Sequence, residues 1–159
     1  MQTRFISNFL ISLTLTFVLS AVFFQGHAQT VQQKQYNLSN NLAVQGYDVV
    51  SYFKNSPVKG VKTYETVYQG IVYRFANADN LKTFKANPAK YEPQYGGWCA
   101  YAMGKDGSKV DINPKTYKIH NGKLYLFYNA WGTNTLNYWN DDEANLQKKA
   151  DLSWSKLIK

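Results

Sequence analysis

One cysteine, Cys99, occurs in the 159 residues, so no disulfide can close within the chain. Histidine is nearly as scarce, with only His27 and His120 present. A Ser-His-Asp set cannot be built around the single histidine in the body of the chain. HEXXH, CXXC, a glycine-rich phosphate loop and a P-loop are also missing. Cys99 and His120 would supply a nucleophile and a base, but no third group stands out to orient them. These absences weigh against an enzyme. Lys and Arg total 18 against 10 Asp and Glu, a net charge of +8, yet no run of five basic residues occurs. Nucleic acid is therefore not an expected partner, and the charge implies no more than weak attraction to anionic surfaces.

The apolar run Leu10–Phe24 is shorter than the ~20 residues a membrane span needs, and it is broken by Ser12, Thr14, Thr16 and Ser20. Arg4 precedes it and Gly26-His27-Ala28 follows, which is the pattern of a secretory signal peptide cut after Ala28. The expected division is a signal peptide at 1–28, a flexible polar lead at 29–41 and a domain at 42–159. The mature protein is then exported, periplasmic or extracellular, with no stable membrane anchor. About 130 residues remain, the size of one domain. What that domain has in plenty is aromatic rings, with 13 Tyr, 9 Phe and 4 Trp in the whole chain, and packing must supply the stability that disulfides do not.

Asp48 is placed to cap a short helix with Val49, Val50, Tyr52 and Phe53 facing inward, ended by Asn55-Ser56-Pro57. Tyr64 to Phe75 reads as a hairpin turning at Gln69-Gly70. Asn77 caps a helix over 78–86 that carries Leu81 and Phe84 on one face, and Pro88 stops it. The second hairpin, Tyr117 to Tyr128, turns at Asn121-Gly122. Helices are predicted over 131–139 and 142–157. Acidic residues open the latter and Lys156 closes it, in keeping with the helix dipole. The sum is an α+β domain: a small, mostly antiparallel sheet built from two hairpins, with short helices packed on one side.

The pattern Tyr73-x-Phe75, a short capped helix, then Phe84-x-x-Asn87-Pro88-x-x-Tyr91 resembles the YHS domain. Gly46–Phe53, Tyr95–Tyr101 and Leu124–Asn129 are similar to its exported branch, so the resemblance spans roughly 42–157. It implies a limited function. Metal-binding YHS domains carry cysteines at the positions that correspond to Ser51, Ala76 and Asn80. None of these is a thiol here, so that metal site is not carried over. The soft donors left to converge are Cys99, Met103 and His120, which leaves a copper or zinc ion as an open cofactor.

Each candidate has a plain reading beside its functional one. Cys99 is either a small buried residue or a ligand or reactive thiol, and Gly96-Gly97 before it lets backbone approach closely. His120 stands at a hairpin tip, where a surface histidine is the ordinary outcome. Met103 fills a core equally well. Tyr47, Asp48, Trp98, Tyr101 and Tyr128, with the Asn129 amide, could line a small-ligand pocket of aromatic walls and few polar groups. An aromatic core explains the same residues. The favoured function is a non-enzymatic exported binding domain that takes a metal ion or small ligand near Cys99. The alternatives are a protein-interaction or structural module with Cys99 buried and, last, a thiol-dependent enzyme or redox sensor.

Overall fold

The computed structural model describes residues 33–159, so the expected signal peptide lies outside the described residues. The chain enters the fold at β1 (Leu38–Ser39), which pairs antiparallel with β2 (Leu42–Ala43). The described part of the polar lead expected to stay flexible, residues 33–41, is therefore tied down. Asn37 N–H donates to the Gly96 carbonyl at 2.8 Å, and the Trp98 indole donates to the Gln35 carbonyl at 2.6 Å. The lead's backbone and side chains both carry these ties, since the Asn37 amide also donates to the Gly97 carbonyl and to Asp111 Oδ1.

β3 (Val61–Tyr68) and β4 (Ile71–Phe75) form the first predicted hairpin. Gln69 and Gly70 both take positive φ, 49° and 77°, the geometry that matches a tight turn to strand twist. β4 also pairs parallel with β2, which gives a mixed four-stranded sheet in the order β1-β2-β4-β3. Ile71, Tyr73 and Phe75 point inward at alternate positions, while Arg74 reaches outward to Glu65.

α1 (Ala78–Ala86) follows, with the Asn77 side chain accepting the Asn80 N–H at 2.9 Å as predicted. Phe84 buries against the first sheet, its ring 4.7 Å from Tyr73 and 5.0 Å from Phe75. Pro88 ends α1 but also opens a further turn, α2 (Pro88–Tyr91), where its missing N–H costs nothing. A tight turn over Gln94–Gly97 leads to α3 (Ala100–Lys105), a helix the sequence reading did not anticipate.

β5 (Asn113–His120) and β6 (Lys123–Phe127) form the second hairpin, turning at Asn121-Gly122, in a sheet of their own. The helix predicted over 131–139 begins only at Thr135. Before it, β7 (Asn129–Ala130) and β8 (Thr133–Asn134) pair across a Trp131-Gly132 turn whose φ values are 54° and 78°. α4 (Thr135–Asp141) and α5 (Glu143–Leu157) complete the chain. The architecture is α+β. Among the described residues no helix is long and apolar enough to cross a membrane.

β6 organises the interior. Leu124 and Leu126 face one cluster, built on Val49, Tyr52, Ile71, Phe75 and Phe84. Tyr125 and Phe127 face the other, with Met103, Trp139, Leu146 and Ala150. The closest helix approach in the second cluster depends on Gly104, where a methyl group would stand 2.4 Å from the Leu146 carbonyl oxygen.

Candidate functional site

Asp48 is wholly buried, and its carboxylate is surrounded by donors. Oδ1 accepts Val50 N–H at 2.9 Å and Ser51 N–H at 3.3 Å. Oδ2 accepts Ala76 N–H at 2.9 Å and the Asn80 amide at 2.6 Å. Lys54 then donates to the Asn80 carbonyl oxygen at 2.6 Å, so a cation is linked to the carboxylate through one amide. The Ser51 hydroxyl donates to the Asp48 carbonyl at 2.6 Å. The predicted capping role is present but is the smaller part: Asp48 fastens the strand-to-helix junction at Ala76–Asn80 to the domain start. A buried carboxylate with four N–H donors is held by charge-assisted hydrogen bonds.

Cys99 immediately precedes α3 and has no exposed surface. Its backbone pairs with Leu126 of β6, and its N–H donates to the Val110 carbonyl at 3.0 Å. Tyr128 N–H donates to Sγ at 3.4 Å. The Thr135 hydroxyl donates to the Tyr128 carbonyl at 2.9 Å, which leaves its oxygen to accept the Cys99 thiol hydrogen across 3.3 Å. The thiol is thus a buried, hydrogen-bonded core group.

Over it lies a cleft of about 220 Å³. Tyr101, Ala102, Val110, Tyr128 and Thr135 form its walls, and Lys105, Asp106 and Ser108 its rim. The hydrogen bonds from Ser108 hold the Asp106 carboxyl below its ordinary range, so the rim carries fixed charges of both signs.

The other candidates stand elsewhere. Tyr47 bridges to Lys59 beside Asp48, away from the Cys99 cleft. Trp98 is held by Gln35, with the Lys109 ammonium 5.9 Å from its ring centre. The Asn129 amide donates to Thr116 Oγ1 at 3.0 Å and is spent within the fold. Of the six proposed ligand contacts, Tyr101 and Tyr128 line the cleft.

The soft donors do not gather. Cys99 belongs to the first core cluster and Met103 to the second. His120 Nδ1 faces Glu143 at 3.8 Å, next to the Lys118–Glu143 ion pair at 2.8 Å. Burial pushes the Glu143 carboxyl up, but hydrogen bonds from Lys118 and Trp139 and the nearby charges outweigh it and hold it below the usual value. Among the described residues no group of three or more His, Cys, Asp or Glu could hold a metal ion. The described residues do not fit a copper or zinc centre.

Sequence reasoning missed Thr135, Ser108 and Val110. Asn134 before Thr135 is a legible helix cap, since its side chain accepts Leu136 N–H at 3.1 Å, but nothing local aims Thr135 at Cys99. Comparison with known protein families, curated proteins and solved structures finds no match to this chain.

Proposed function

We propose that this chain is an exported, non-enzymatic YHS-like domain that binds a small, largely apolar ligand in the cleft over Cys99. The observation that carries the reading is the cleft itself: two tyrosines, a valine and an alanine as walls, with charged and hydroxyl groups at the rim. That is the usual chemistry of a small-molecule site. Its volume of about 220 Å³ is below the roughly 300–1,000 Å³ typical of drug-sized ligands, so the occupant is about one ring in size. Cys99 is its floor and not its ligand, and no metal enters the reading.

The resemblance to the YHS domain is carried by the sequence pattern, and one relationship at its matched positions sets this chain apart from the metal-binding members. Ser51, Ala76 and Asn80, the positions matched to that family's metal-ligand cysteines, all bond to Asp48. Here those positions direct N–H donors at a carboxylate and offer no thiolate to a soft metal ion.

The test is amide NMR of the folded chain titrated with phenol, benzoate and indole. Shifts at Tyr101, Tyr128 and Thr135 are expected, and they should vanish in Ser108→Trp, whose ring covers the mouth from an exposed position. Absence of shifts with all three probes at millimolar concentration removes the proposal.

A second reading, a protein-interaction module, is favoured by Trp131, 95% exposed at the tip of the β7–β8 turn with half-exposed Tyr138 in the following helix. Under that reading Trp131→Ser abolishes partner binding and leaves probe binding unchanged.

A further inference from the structure

A second cleft, of about 240 Å³, lies between α5 and the Glu92–Gly96 segment and shares no lining residue with the cleft over Cys99. The rings of Tyr36, Tyr95 and Trp154 line it, and so do the carboxylates of Glu92 and Asp151. No lysine or arginine lines it, in a chain where basic residues outnumber acidic ones by 18 to 10. Neither carboxylate belongs to an ion pair among the described residues.

Both acids are fixed by tyrosines. Tyr95 Oη donates to Asp151 Oδ1 at 2.9 Å, and Tyr36 Oη to Glu92 Oε1 at 3.3 Å. Tyr36 meets Trp154 edge to face, with centroids 5.9 Å apart. Beside Glu92 the buried hydroxyl of Tyr73 closes no hydrogen bond of normal geometry among the described residues. Glu92 is nonetheless the charge that acts on it most strongly. Desolvation raises the Glu92 carboxyl above its ordinary value, so its negative charge stands where water compensates it poorly. Gly96 is what admits Trp154 to this wall: its φ is 59°, and a methyl group there would stand 2.6 Å from the indole Cη2.

Two carboxylates fixed by tyrosines and set among three aromatic rings match one ligand class. We propose that this cleft binds a small organic ammonium ion, quaternary or methylated. Ring faces attract such a cation at little desolvation cost, and Glu92 and Asp151 balance its charge. A soft metal ion is a poor fit, because each carboxylate already accepts a phenol and no histidine or cysteine lines the cleft. The site is independent of the cleft over Cys99.

The experiment is calorimetric titration of the purified full chain with choline and, in parallel, with its uncharged isostere 3,3-dimethyl-1-butanol. The Trp154 indole N–H is followed by NMR. Choline should bind at least about tenfold more tightly than the alcohol and shift the Trp154 signal. Glu92→Gln and Asp151→Asn keep the oxygen that each tyrosine bonds and remove only charge. Each should weaken choline by about tenfold while the thermal melt shows that the fold persists.

Ser108→Trp should leave choline binding unchanged, which separates this site from the first. Sedimentation with phosphatidylcholine vesicles distinguishes a lipid-borne headgroup, which pulls the protein down, from a free ion, which does not. Either result is compatible with the ammonium site once choline binding is seen. Equal binding of the alcohol, unchanged binding in both charge variants, or no heat and no Trp154 shift overturns the proposal.

Discussion

The carboxylate of Asp48 accepts the side-chain amide of Asn80 at 2.6 Å across 32 positions of sequence, and both residues are buried. This contact joins the domain start to the first turn of α1.

Asp48→Asn preserves shape but turns one acceptor into a donor that faces other donors. An unsatisfied buried polar group costs about 1–3 kcal/mol, more where a charged group is involved. The expected loss is therefore about 3 kcal/mol, read as a lower urea midpoint with an unchanged slope. A midpoint within error of the parent would remove Asp48 from its structural role.

Gly104→Ala should run against helix propensity. Alanine in place of a helical glycine normally stabilises by about 1 kcal/mol. Here the added carbon stands 2.4 Å from the Leu146 carbonyl oxygen, so α3 and α5 must part. The expected result is a destabilisation of about 1–3 kcal/mol from overpacking, measured by thermal melting; any gain in stability refutes the close crossing.

Cys99 should resist thiol reagents in the folded chain and react at the rate of global unfolding. Fast labelling under native conditions would contradict its burial and its bonds to Thr135 and Tyr128. Cys99→Ala should cost about 1–2 kcal/mol through the small cavity it leaves.

Two carboxyls predict opposite pH dependences. Glu92 is raised by burial above its ordinary value of 4.5. Between that value and its raised one, the folded state keeps a proton that the unfolded chain has released. Stability therefore falls as pH rises through the window. Glu92→Gln lacks this loss, so its melting temperature should gain on the parent from pH 4 to pH 7. Glu143 is held below its ordinary value, chiefly by Lys118 and Trp139 acting against burial. It contributes stability above the unfolded value that is lost as pH falls through the folded one. Glu143→Gln should accordingly trail the parent at neutral pH and draw level with it in acid.

Much of the fold was legible because its signals are local. Gln69-Gly70 and Asn121-Gly122 announce their hairpins, since both residues of each turn need positive φ. Asn77 announces α1 through its own side chain. α3 was hidden. Cys99 offers no capping bond, and Ala100, Ala102, Met103 and Gly104 are all buried, so no polar face marks a period. The helix expected over 131–139 loses its first four residues to the β7–β8 hairpin, whose Trp131-Gly132 turn takes positive φ at both positions. At the site, Tyr101 and Tyr128 could be named from composition. Thr135 could not, because tertiary packing alone brings it to Cys99. The two-acid cleft was invisible for the same reason: Glu92 and Asp151 are 59 residues apart.

Leu124 and Tyr125 are neighbours in sequence that look into different halves of the interior. A slip of one residue along β6 would exchange every side chain between those halves. Neither half can then melt while the other keeps its register, and the chain should come apart in one cooperative step, whichever spectroscopic probe follows it.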